Sequence, residues 1–111
     1  VAAMEEPTYL PGLIGMLEPF EDKPRAQNVL VAQDAHVVLF EFAAGQTLHE
    51  HQAHHAVIVQ CLAGHLRFEV AGAEHDLRPG DLIHLPPKLP HAVHALDDST
   101  MTVTMLVAGE R

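Results

Sequence analysis

From about residue 28 onward, apolar and polar positions alternate in short runs, each closed by a turn signal. Side chains along a strand point alternately to the two faces of a sheet, so such runs are the signature of half-buried strands. They predict strands at 28–33, 36–43, 47–51, 56–62, 65–70, 74–77, 81–85, 91–95 and 101–107. Between them fall Ala63-Gly64, Ala71-Gly72-Ala73, Arg78-Pro79-Gly80, the proline-rich 86–90 and the polar 97–99. These are the residue types that supply positive φ or interrupt a ladder. About nine short strands without helical periodicity imply an all-β sandwich or barrel. Gly64, Gly72 and Gly80 are the turn positions expected at positive φ. Val57, Val59, Cys61, Phe68, Leu82, Val93 and Val103 form the expected interior. Runs 56–62 and 101–107 are apolar on both faces and call for a second covering layer, which a homodimer packed sheet against sheet would supply.

Before residue 28 the pattern changes. Pro7, Pro11, Gly12, Gly15, Pro19 and Pro24 leave room only for short pieces, so 1–28 reads as an extended N-terminal arm with at most one helical turn, and 29–111 as one β-barrel domain. Tyr9, Leu10, Leu13, Ile14, Met16, Leu17 and Phe20 make the arm apolar enough to pack on a sheet.

The 111 residues are enough for one domain, and 48% hydrophobic with 19% charged is an ordinary globular composition. The net charge of -9 arises without any cluster of Lys or Arg, which argues against nucleic acid and against anionic membrane surfaces as partners. No run of 18 apolar residues and no basic-then-apolar leader is present, so the expected address is the cytoplasm. The single cysteine, Cys61, falls inside a predicted buried strand and reads as a packed thiol. Ten histidines change the electrostatic picture: protonating all ten would carry the formal charge from -9 to +1.

Those histidines concentrate in one stretch. Gly45 is followed by His49, Glu50, His51, His54 and His55, then by the apolar run to Gly64. Further on, Gly80 and Pro86 precede His91. On these residues the chain resembles the small single-domain cupins, whose first motif is Gly, five residues, His-x-His, three or four residues, Glu, six residues, Gly, and whose second is Gly, five residues, Pro-x-Gly, two residues, His, three residues, Asn. Gly45, His51 and Gly64 fit the first, and Gly80, Pro86 and His91 the second, over roughly residues 37–107. The resemblance implies a double-stranded β-helix, or jelly-roll barrel, with four metal ligands. Two of these are replaced: the second His of the pair falls on Ala53 and the Glu on Val57. Lys88 stands for the motif Gly and Ala95 for the Asn.

Strand alternation suggests how a site could be rebuilt. His49 shares the parity of His51, and the parity of Val57 extends back to His55, with His54 as its neighbouring substitute. His49, His51, His55 and His91 are therefore the expected metal ligands, for a divalent transition ion such as Zn, Ni, Fe, Cu or Mn, with open positions left to water or a small molecule. Glu50 points outward on this reading. His36, His65, His75, His84 and His94 are expected at the surface or sheet edge. The expected function is metal binding with a pocket for a small, largely apolar ligand carrying one polar handle, with oxygenase-like or isomerase-like chemistry. Two alternatives stand beside it: a non-catalytic ligand- or metal-sensing module, and a structural dimer with a vestigial site.

Overall fold

A computed structural model describes residues 6–107 of the chain. It is built of nine strands: β1 Arg25–Val31, β2 Ala35–Phe42, β3 Thr47–His51, β4 Val57–Ala63, β5 Leu66–Val70, β6 Ala73–Leu77, β7 Leu82–Leu85, β8 His91–Ala95 and β9 Ser99–Leu106. They form two antiparallel sheets, in the orders β1-β2-β9-β4-β7 and β3-β8-β5-β6. This is the all-β architecture that the turn spacing predicts, in the jelly-roll form that the resemblance implies. Gly64, Gly72 and Gly80 all take positive φ, as expected.

The core lies between the sheets. Phe42 from β2, Val57, Val59 and Cys61 from β4, and Met101 from β9 meet Leu66, Phe68 and Val70 from β5 and Val93 from β8. Each set is spaced by two along its strand, which is why alternation in the sequence locates it. Cys61 is buried and its thiol donates to the carbonyl of Ala63 at 3.4 Å. Burial pushes the thiol's pKa up, with the Asp81 carboxylate adding to the effect, so the packed, unreactive reading holds.

Two expectations need correction. Leu82 was placed inside but is 54% exposed. It pairs with Gln60 in the β4–β7 ladder, on the outer face, while Ile83 and Leu85 pair with the inward Val59 and Val57. The first strand also begins at Arg25 rather than at residue 28, because Arg25, Ala26 and Gln27 pair with Glu41, Phe40 and Leu39 of β2. The described part of the arm, from residue 6, contains a turn closed by the Met16 amide on the Leu13 carbonyl, and no helix. Its end is tied to the barrel: the Gln46 side-chain amide donates to the Phe20 carbonyl at 2.7 Å, and the Arg25 guanidinium lies 4.2 Å from the centroid of the Phe20 ring.

The outer face of the four-stranded sheet is polar. His65 pairs with Asp76, Arg67 with Glu74 and His94 with Glu69, at 3.2, 3.4 and 3.3 Å. This accounts for His65 and His94 as surface-facing residues. His75 and His84 are exposed as well.

Candidate functional site

The barrel encloses a cavity of about 170 Å³ between the two sheets. Strands β2, β4 and β9 of one sheet line it with apolar side chains, including Phe40, Val59, Met101 and Met105. Phe68 and Val93 close it from the other sheet. The polar side chains in this lining are His51, at the end of β3, and His91, at the start of β8.

A backbone irregularity brings these two together. In the β3–β8 ladder Leu48 pairs with Val93 and His51 with His91, so three steps along β3 match two along β8. The extra residue is a β-bulge, which shifts side-chain parity. Leu48 and His51 consequently both face the cavity, although an unbroken strand would send them to opposite sides. His49 and Glu50 fall on the bulge and are exposed. The alternation rule that grouped His49 with His51 therefore does not survive the bulge.

The two imidazoles sit edge to face, with ring centroids 4.2 Å apart. Phe68, fully buried, lies nearly parallel to the His91 ring at 5.4 Å. His91 is 7% exposed, whereas His51 is exposed and stands at the mouth. His91 Nδ1 lies 2.9 Å from the Leu89 carbonyl and His51 Nδ1 lies 3.0 Å from the His49 carbonyl. A carbonyl only accepts, so each Nδ1 is the protonated nitrogen that donates, and in the neutral ring each Nε2 keeps its lone pair. Neither Nε2 has a hydrogen-bond partner among the described residues. Burial lowers the His91 pKa below the ordinary histidine value, the Leu89 carbonyl partly opposing this and the neighbouring His51 reinforcing it. His91 is accordingly a neutral acceptor at physiological pH.

His55 is half-buried just before β4, outside the cavity lining, and His54 is exposed on a surface hollow with Gln52, Ala53 and Lys88. Of the four histidines expected to converge, the structure thus brings together His51 and His91. Among the described residues no group of three or more His, Cys, Asp or Glu is arranged to hold a metal ion. Val57 belongs to the expected interior, whereas Ala53 entered the sequence reading only as a vacant ligand position. Both line the cavity beside His51 and His91. All four positions of the motif register converge, and two of them carry a methyl and an isopropyl group where donors were expected. A metal site built by protein alone takes three or four such donors, so the described residues around the cavity do not fit a resident metal ion.

Lys88, at the position of the motif Gly, keeps the left-handed backbone that favours glycine, with φ 64°. Its amide donates to the Ala53 carbonyl at 2.7 Å and so anchors the proline-rich loop beside the cavity.

A two-sheet jelly roll with a histidine-marked interior defines a class of small barrel proteins, and comparison gives the family. A cupin-domain family model matches residues 38–107, and the chain belongs to the cupins. A solved protein with a double-stranded β-helix domain from Klebsiella pneumoniae is 16% identical, with a TM-score of 0.80 over 95% of both chains. A cupin superfamily protein from Desulfitobacterium hafniense is 20% identical, with a TM-score of 0.77, over 93% of this chain and 94% of that one. KdgF from a Halomonas species is 25% identical, with a TM-score of 0.73, over 80% and 84%. No curated protein matches the chain. A fold shared this widely carries many chemistries, so function has to be argued from the cavity.

Proposed function

We propose that this cupin binds a small, largely apolar molecule inside its barrel, with His51 and His91 as the polar end of the site. The observation that carries the proposal is the cavity: about 170 Å³, apolar walls, and two imidazoles whose Nε2 atoms have no partner among the described residues. An apolar cavity of roughly 150 Å³ stays dry and takes up benzene, so this one has room for a single ring with a small substituent. With no carboxylate in the lining and no third donor, a binding role fits the residues better than catalysis. The test is thermal melting with a panel of single-ring compounds. Binding ligands raise the melting temperature by mass action, and Val59→Phe, which fills the cavity from a buried wall position, removes the shift. A panel without any shift in the wild type overturns the proposal.

A second reading is favoured by the two pinned Nδ1 atoms, since a carbonyl that holds one ring nitrogen and frees the other is what metal-ligating histidines commonly have. On that reading a divalent transition ion enters with the small molecule, which supplies the donors that Ala53 and Val57 lack. His51→Ala and His91→Ala should then each abolish any metal-dependent thermal stabilisation, while His75→Ala leaves it intact.

We also propose a homodimer formed through the outer face of the five-stranded sheet. Exposed Leu82 and Leu106 and half-buried Ile58 on this face support it. A light-scattering mass near twice the 12.1 kDa chain supports this, and a mass equal to one chain at micromolar concentration overturns it.

A further inference from the structure

Resting on the proposal that the cavity binds a small molecule, we infer that its ligand is a neutral aromatic alcohol of the phenol class, held without a metal ion. The argument is one of complementarity. The Nε2 atoms of His51 and His91, the two polar side chains in the lining, both offer lone pairs in the neutral ring, because backbone carbonyls occupy both Nδ1–H groups. A site that presents acceptors and no donor selects a ligand that brings its own proton. Two centroids 4.2 Å apart put both rings near one hydroxyl, whose single proton is donated to one Nε2 at a time.

Charge narrows the class further. A carboxylate would meet two lone pairs in an apolar cavity, and an ammonium would be buried without a counter-ion, since no Asp or Glu lines the space. A neutral O–H meets neither penalty. The walls favour a ring over an alkyl chain: Phe40 and Phe68 contribute aromatic side chains to the lining, and Met101 and Met105 line the same space. The replacement of donors by Ala53 and Val57 is what makes the cavity apolar at the place where the family motif would put a metal. The departure from the motif and the ligand class are therefore two aspects of one change.

Calorimetric titration of the untagged protein in EDTA, with phenol, benzene and benzoate as probes, tests this. Phenol is expected to bind at least tenfold more tightly than benzene and than benzoate. The double variant His51→Ala with His91→Ala, which removes both acceptors, is expected to bring phenol down to the benzene level while benzene itself changes less than threefold. Either single variant keeps one acceptor and should retain part of the phenol preference, and retained benzene binding certifies that each variant is folded. Phenol no tighter than benzene overturns the ligand class and leaves the binding proposal standing. Benzoate tightest overturns the neutral-donor argument. Phenol binding that vanishes in EDTA and returns with Zn²⁺ overturns the metal-free statement. If none of the three probes binds, this inference and the proposed function fall together.

Discussion

Gly64 offers the sharpest quantitative test of how the barrel is held. It sits between β4 and β5 at φ +87°, a conformation that an L side chain adopts with strain. A Cβ there would collide with the Asp98 carbonyl oxygen and the Ser99 hydroxyl and would stand 2.7 Å from Ser99 Cα. Ser99 is fully buried; its hydroxyl accepts the His65 amide at 3.0 Å and donates to the Asp97 carbonyl at 2.7 Å. Gly64→Ala therefore adds left-handed backbone strain of about 1–2 kcal/mol. Disturbing a buried, fully used hydroxyl costs a further 1–3 kcal/mol or so. A loss of about 3 kcal/mol is expected in urea unfolding at an unchanged slope. Gly72→Ala is the control: φ is +76° but a Cβ meets nothing within 4 Å, so about 1 kcal/mol of strain should be its whole effect. Equal losses at the two glycines would refute the close-approach argument.

Glu41, on the outer face of β2, has its carboxyl pKa raised by burial, with the Thr100 hydroxyl at 2.6 Å opposing and Asp98 reinforcing. The folded state thus holds this proton more tightly than the unfolded one, and its stabilising contribution, complete below about pH 4.5, is lost as pH rises through the folded value. Glu41→Gln should raise the melting temperature at pH 7, with the gain disappearing in acid; no gain at pH 7 would contradict this. His91 has the opposite sign: with its folded value depressed, the unfolded chain takes the proton first, so stability is full above about pH 6.5 and falls below it. His91→Leu should flatten the melting-temperature profile below about pH 6.5, and an unchanged slope would place the titrating group elsewhere. Ala53→His combined with Val57→Glu returns both missing donors to the cavity. Zn²⁺ or Ni²⁺ should then stabilise the double variant, by roughly 2.7 kcal/mol at 100 times the dissociation constant, and leave the wild type unaffected. Equal stabilisation of both proteins would show that His51 and His91 suffice.

Most of the fold was legible because burial follows alternation. Val57, Val59 and Cys61 face the core at spacing two, and Gly64, Gly72 and Gly80 mark the turns. Parity failed wherever the backbone departs from a regular ladder. The bulge in β3 adds one residue between Leu48 and His51, and no property of His49 or Glu50 announces it. A clue did exist: Leu48 and His51 both belong inside, on grounds of apolarity and motif position, and only an irregular strand allows a spacing of three. Leu82 misled because β7 has apolar residues on both faces, so pattern alone could not tell which side met β4. The start of β1 was hidden because Arg25, Ala26 and Gln27 join an edge strand through backbone pairing with β2, which leaves no apolar signature. Within the site, the motif register placed Ala53 and Val57 correctly. Val57 was expected inside, but the role of Ala53 as a cavity wall follows only from all four positions lining one space.

The central claim is that His51 and His91, each held by a carbonyl at Nδ1, offer Nε2 as an acceptor to an apolar cavity. A long-range ¹H–¹⁵N spectrum of the histidine rings at pH 8 in EDTA tests it most directly. The account predicts that His51 and His91 are both Nδ1–H tautomers with acceptor Nε2 signals, and that both signals move when a phenol is added. An Nε2–H tautomer at either ring, or Nε2 signals indifferent to the ligand, would contradict it.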